Sequence, residues 1–205
     1  MKRHEINPRP DWQKRVEEYG MTYHTPNGQP YWNESAYYSF TMGQVETFEK
    51  VVAELHEMCL AAAQHVIDHE RFREFGLSPL VGDAIKASWI AEPPSIYSRF
   101  DLGYDGRNPP KLLEFNADTP TALLEASVIQ WFWFQEKWPK SGRDQWNSIH
   151  ERLVAKWRTL KGWMSPTVHF AHVAEATGED LMTVTLSDVL SEISANLHSY
   201  TGDQE

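Results

Sequence analysis

The sequence predicts an α/β fold, α+β in the strict sense, with long helices packed on a mostly antiparallel sheet. Three observations carry this. Val45, Phe48, Val52, Leu55, Cys59, Ala62 and Val66 recur at steps of three and four, one apolar stripe along a helix from about residue 43 to 70. Residues 95–102 and 111–116 read as paired strands, separated by the turn-rich Gly-Tyr-Asp-Gly-Arg-Asn-Pro-Pro segment at 103–110. Leu124, Val128, Trp131, Phe132 and Trp138 then restore helical spacing with an aromatic-heavy buried side.

Taken in order, residues 1–40 are rich in Pro, Tyr, Trp and Asn, with one short helix expected over 11–19 and Asp11 as its N-cap. Tyr31-Trp32-Asn33-Glu34 and Tyr37-Tyr38 read as loop or short turns carrying aromatics. Thr41 is placed to cap the first long helix, whose other side is held mostly by Glu46, Glu49, Lys50, Glu54 and Glu57. A further helical piece is expected over 79–88. The loop at 103–110 is too long for a two-residue turn, so it reads as a loose hairpin. The second long helix is expected to start after Thr119, with Thr119 as cap and Pro120 in the first turn. Residues 144–163 read as a third helix with Trp146, Ile149, Leu153 and Trp157 on one side. Residues 168–173 read as the start of a strand, and beyond Leu186 the chain turns polar and Ser-rich. These features divide the chain into a domain over 1–165 and, over 166–205, the start of a second lobe with a polar, divergent tail.

With 205 residues, 41% hydrophobic and 13% aromatic, the chain has material for one large packed domain or two small ones. The net charge of −10 and a pI near 5.4 argue against nucleic acid or an anionic membrane as partner, so any phosphate site is a local basic pocket. A single cysteine, Cys59, rules out an intrachain disulfide and fits a reducing cytoplasm. Its place in the apolar stripe predicts a buried structural thiol. The first residues are basic but have no apolar segment behind them, so no signal peptide is expected, and no run of 18 apolar residues is present.

The chemistry-bearing residues gather around the predicted hairpin. Alternation sends Arg99 and Asp101 to one face of the first strand, and Glu114 and Asn116 to one face of the second. A pairing in which residue numbers sum to 215 sets Asp101 opposite Glu114 and Arg99 opposite Asn116; the sequence allows this register without selecting it. Two carboxylates and an amide are hard oxygen donors suited to magnesium, which keeps water until substrate phosphates displace it. An arginine beside them offers a planar, permanently charged fork to a phosphoryl oxygen. A helix N-terminus at 119–121 would add free backbone N–H groups for an anion or carboxylate. The plainer reading of the same pattern is a solvated surface hairpin with a structural Arg–Asp pair and a helix cap.

The run Glu114-Phe115-Asn116-Ala117-Asp118-Thr119-Pro120-Thr121-Ala122-Leu123-Leu124-Glu125-Ala126, with Arg99 and Asp101 upstream, resembles the synthetase part of the glutathionylspermidine synthase family. The likeness covers residues from about 3 to 181 and fades after about 185. It implies a pre-ATP-grasp fold, an incomplete ATP-grasp, and an ATP-dependent carbon–nitrogen ligase. In that family ATP activates the glycine carboxylate of glutathione as an acyl phosphate, and a polyamine nitrogen then attacks it. The resemblance puts Mg2+ on Asp101, Glu114 and Asn116, the phosphoryl-steadying and catalytic arginine on Arg99, and nucleotide contact on Arg99 and Asp101. Two substrate-contacting hydroxyls fall on Thr119 and Thr121, where the characterised synthetase has serine. The implied partners are a small-molecule carboxylate and an amine, with a missing C-terminal half carrying most ATP contacts; the implied compartment is the cytoplasm. Two other functions stay open: a truncated, non-catalytic remnant or interaction module that retains the metal site, and a magnesium-dependent phosphate hydrolase.

Other residue patterns carry less. His65 and His69 have zinc-compatible spacing on a helix but no third ligand nearby in sequence. His169 and His172 fall on opposite faces of an expected strand. The Trp-Phe-Trp-Phe run at 131–134 spreads around its helix and reads as core, or as a surface that a missing half covers. Gly103, Gly106 and Asn108 lack the Gly-Lys-Ser/Thr and following helix of a phosphate loop.

Overall fold

The computed structural model describes residues 1–118, 120–140, 142, 144–163 and 167–169. The elements follow one another as β1 (Lys2–Glu5), α1 (Trp12–Glu18), β2 (Ala36–Ser39), α2 (Met42–Asp68), α3 (Pro79–Ala91), β3 (Arg99–Gly103), β4 (Lys111–Asn116), α4 (Gln130–Lys137) and α5 (Ile149–Leu160). Both described sheets are two-stranded and antiparallel, β1 with β2 and β3 with β4. This is the mixed architecture of helices and small antiparallel sheets that the sequence predicts. The chain divides into two compact units, one of Met1 with Phe40–Asn116, the other of Lys2–Ser39 with Ala117–Glu205.

In the first unit, α2 opens on a complete capping box. The Thr41 hydroxyl accepts from the Gln44 N–H at 3.3 Å, and the Gln44 side chain accepts from the Thr41 N–H at 3.1 Å. None of its 27 residues is fully buried, so the apolar stripe lies half-covered. Cys59 accordingly is half-buried, not the buried thiol expected from the stripe. Helix α3 starts at Pro79 behind a Ser78 cap and runs to Ala91, past the expected end. It packs over a 3-10 turn, Arg71–Phe75. Gly82 lets Phe72 approach so closely that a Cβ there would lie 2.8 Å from the ring.

In the second unit the core forms from Val16, Met21, Leu124 and Ile129, walled by Trp12, Tyr19, Tyr23, Trp32 and Val128. Tyr37 and Tyr38 sit in β2, not in a loop as the sequence suggests; a four-residue strand is too short for alternation to declare itself. Asp11 does occupy the N-cap position of α1, but at φ 52° and with no side-chain capping bond. Trp133 and Phe134 are buried while Trp131 and Phe132 are half-buried, so the aromatic run spreads around its helix as expected. Phe132 stacks on Tyr19 with centroids 4.0 Å apart. Helix α5 lies inside the expected 144–163 span and buries Leu153, Trp157 and Leu160.

The helix expected from Thr119 and Pro120 begins later. Leu123 is its first helical residue, because Ala122 takes a left-handed φ of 67° and Pro120 is packed into the core. From Glu125 to Ile129 the helix is π-wound before it tightens into α4. Val168 and His169 are not in a strand, and residues 170–205, with most of the expected second lobe, lie outside the described residues.

Candidate functional site

Strands β3 and β4 pair with Arg99 opposite Asn116, Phe100 opposite Phe115 and Asp101 opposite Glu114, the register in which residue numbers sum to 215. Past Asp101 the register shifts by one, Leu102 facing Leu112, so Leu113 is the extra residue of a bulge. The two phenylalanines stack on the opposite face at 4.2 Å, and the His56 ring of α2 meets Phe115 edge-on. That apolar stack holds the pleat and leaves the four polar side chains on the other face.

The connecting loop is ordered by Asp105. Its carboxylate accepts the backbone N–H groups of Arg107 and Asn108, both at 2.8 Å, and the Asn108 side-chain amide at 2.5 Å. Three donors on one carboxylate hold Asp105 down at a pKa of about 2, the backbone bond from Asn108 contributing most.

On the polar face Arg99 grips Asp101 as a fork, Nε to Oδ1 at 2.7 Å and Nη2 to Oδ2 at 3.1 Å. The pair is 28% and 36% exposed, open to a ligand from solvent. The fork pulls the Asp101 carboxyl below, and pushes the Arg99 guanidinium above, its ordinary value; Glu114 across the ladder acts on both in the same sense. Asp101 therefore stays an anion well into acid. The Asn116 side-chain nitrogen is closed off from water and has no hydrogen-bond partner among the described residues.

This donor set fits a magnesium ion in kind: the two carboxylates and the Asn116 Oδ1 are hard oxygen ligands, whereas the unpartnered Asn116 Nδ2 is a hydrogen-bond donor and takes no part in holding a cation. It does not make a closed cage. Among the described residues no three Asp, Glu, His or Cys side chains are grouped to hold a metal unaided. A set of this size leaves coordination positions for water and phosphate oxygens.

The two hydroxyl candidates stand differently. Thr119 lies outside the described residues, and Thr121 is exposed, outside any helix or strand, next to Ala122. At the described residues Pro120 and Thr121 no helix N-terminus is present, since the helix starts at Leu123, so the expected backbone cradle is not found there. Elsewhere, His65 Nε2 takes a hydrogen bond from Arg71 at 3.1 Å and His69 Nδ1 gives one to the His65 carbonyl.

Two polar clusters of the second unit escaped the sequence reading. Arg9, 5% exposed, forks onto Glu34 at 2.7 and 3.1 Å and pairs with Glu136 at 3.2 Å. Tyr23 and Tyr31 both donate to Glu125 Oε1, at 2.5 and 2.7 Å. Neither cluster has a sequence signal, since the bonded partners lie 25 to 127 positions apart with no shared period; Glu125 does stand in the quoted motif, without a role assigned.

Residues 3–198 match the glutathionylspermidine synthase pre-ATP-grasp family, beyond residue 181 where the likeness read from individual residues stops. A Haemophilus influenzae protein named "Putative acid--amine ligase" is 36% identical over 195 residues, covering 93% of this chain and 49% of that protein. Two Crithidia fasciculata enzymes are also similar. Glutathionylspermidine synthase is 35% identical over 86 residues, 40% of this chain and 12% of the enzyme. Trypanothione synthetase is 34% identical over 127 residues, 57% of this chain and 18% of the enzyme. The chain thus spans half or less of the length of each of these relatives, all of them ligases by name. No described helix is long and apolar enough to cross a membrane. With nearly its whole length matched, the chain belongs to the glutathionylspermidine synthase pre-ATP-grasp family, a family of ligases.

Proposed function

We propose that this chain carries the metal and phosphoryl face of an ATP- and Mg2+-dependent carbon–nitrogen ligase that joins a carboxylate, of the glutathione type, to an amine of the polyamine type. One observation carries the reading. The hairpin register sets Arg99, Asp101, Glu114 and Asn116 on one face, and these are the residues to which the resemblance assigns metal and phosphoryl roles, a resemblance supported by the family match over residues 3–198.

The chemistry is a phosphoryl transfer followed by an acyl transfer. The substrate carboxylate attacks the γ-phosphorus of ATP, the bond to the bridging oxygen breaks, and ADP leaves. The amine nitrogen then attacks the acyl-phosphate carbonyl, phosphate departs with the bonding pair, and the amine loses a proton to give the amide. Asp101, Glu114 and the Asn116 amide oxygen would hold magnesium, which when bound would neutralise charge on the phosphates. Arg99 puts a guanidinium fixed by Asp101 against the transferring phosphoryl group, so charge developing there meets a donor that needs no reorganisation. Thr119 and Thr121 orient the carboxylate substrate through their hydroxyls. Positioning and electrostatics supply the catalysis.

The test is Mg2+ binding by calorimetry and ADP release with Mg-ATP, glutathione and spermidine as probes, on the wild-type chain and on Asp101→Ala, Glu114→Ala and Arg99→Ala. The carboxylate variants are expected to lose Mg2+ affinity by at least about tenfold, the loss typical of even outer-shell partners. Arg99→Ala is expected to keep the metal and lose phosphoryl transfer. Unchanged Mg2+ affinity in both carboxylate variants would sink the proposal. Metal binding with no amine-dependent ADP release supports the non-catalytic module instead, and phosphate release without an amine supports a hydrolase.

A further inference from the structure

Ala122 holds a left-handed φ of 67°, a conformation that costs an L-residue with a Cβ and persists only where its surroundings over-determine it. What surrounds it is specific. Pro120 on one side and Leu123 on the other are almost fully buried, and they pin the turn at both ends. The π-winding that follows redirects carbonyls, and side chains collect them: Ser127 Oγ donates to the Leu123 carbonyl at 2.6 Å, and Asn147 Nδ2 to that of Ala126 at 3.0 Å. The opening residue of the π segment is Glu125, and its Oε1 accepts two phenol protons, from Tyr23 at 2.5 Å and Tyr31 at 2.7 Å.

Those two donors come from the N-terminal segment, 102 and 94 positions earlier, and their rings lie 5.2 Å apart. Burial first, and then the bond to Glu125, pushes the Tyr23 phenol far above its ordinary value, so it remains a donor at every working pH. An anchor that served packing alone would be apolar. A carboxylate oxygen receiving two converging hydroxyls sets instead the rotation and height of one residue on the helix. Four positions before that residue stands Thr121, exposed and directly before the Ala122 turn.

We propose that Glu125 is a positioning residue: by holding the Tyr23 and Tyr31 hydroxyls on one oxygen it locks the Ala122 turn and thereby aims Thr121 at the carboxylate of the substrate. This rests on the reading of Thr121 as a substrate contact given above. Because both phenols use Oε1, an amide oxygen serves as well as a carboxylate. The role therefore belongs to the acceptor and not to the charge.

The experiment uses the whole chain and glutathione as the carboxylate probe, read by calorimetry, with amide exchange at residues 122–124 as the second readout. Glu125→Ala is expected to weaken glutathione binding by about tenfold, on the scale of a small misplacement of a contact, and to speed exchange at 122–124. Mg2+ affinity at the hairpin should stay the same, and Glu125→Gln should restore both readouts. If wild-type and Glu125→Ala bind glutathione equally, the positioning role is overturned and the Thr121 reading stands. If the wild type binds no glutathione, the Thr121 reading falls and takes the positioning role with it. Glu125→Gln as weak as Glu125→Ala overturns the acceptor argument on which the role depends. Should Glu125→Ala not fold, Tyr31→Phe on its half-exposed ring decides in its place, and unchanged affinity counts against the role.

Discussion

Arg9 carries a permanent charge into an interior where it is only 5% exposed, opposite a Glu34 side chain that is 1% exposed. Both are paid attention by neighbours: the Trp32 indole N–H donates to Glu34 Oε1 at 2.9 Å, and Glu136 meets Arg9 Nη1 on one oxygen and Arg15 on the other. Removing one partner of such a pair leaves the other as an uncompensated buried charge. Arg9→Ala is therefore expected to destabilise the chain by about 3–5 kcal/mol, measured by urea unfolding followed through tryptophan fluorescence. The double change Arg9→Met with Glu34→Leu removes both charges, and it should recover most of that loss. A single variant no less stable than the double would show that the pair does not hold the fold. None of this was legible beforehand. Arg9 lies among prolines, with its partners 25 and 127 residues away, and an isolated Arg or Glu reads as surface. Arg99 and Asp101 were legible at the same scale because they are two apart in an alternating strand, so local geometry alone brings them together.

At the scale of elements, the faces of the hairpin were readable because alternation is local. Alternation chooses the faces; the register was allowed by the sequence but not selected, and the stack of Phe100 on Phe115 accompanies it in the structure. The Thr41 cap of α2 was readable for the same reason, though its reciprocal partner Gln44 comes from the structure. The start of the helix before α4 was not, because Thr-Pro is a good start signal and the left-handed turn at Ala122 comes from packing of Pro120 and Leu123, which no local pattern encodes. The hairpin loop supplies a test of its own order. Asp105 has a folded pKa of about 2 against an ordinary 3.8, so its contribution to loop stability is complete above pH 3.8 and is lost as pH falls through 2. A carboxyl carbon NMR titration should place its midpoint near 2, with the Arg107 and Asn108 amides losing protection over the same range. A midpoint near 3.8 would mean that the three donors do not hold the carboxylate in solution.

Across the molecule, the buried hydrophobic residues are unevenly shared. Among the described residues the first unit contributes Phe72, while Val16, Met21, Leu123, Leu124, Ile129, Trp133, Phe134, Leu153, Trp157 and Leu160 all belong to the second. The first unit instead exposes Leu80 at 80%, Ile90 at 82% and Leu113 at 72%. Hydrophobic periodicity showed where each apolar face lies, as on α2, but not how much of it is covered, because coverage depends on what packs against the stripe. Local stability follows buried apolar contact, so hydrogen exchange should resolve two tiers. Amides of α4 and α5 should exchange slowest, through opening of the second unit as a whole. Amides of α2 and α3 should exchange faster, in spite of the length of α2, because helical propensity without buried packing resists opening only weakly. Point substitutions should follow the same division: Leu124→Ala is expected to cost about 2–5 kcal/mol, and Leu80→Ala within about 0.5 kcal/mol of nothing. If α2 and α3 exchanged as slowly as α5, and Leu80→Ala cost as much as Leu124→Ala, the exposed leucines would have to be covered in solution, and the uneven division of the core would be wrong.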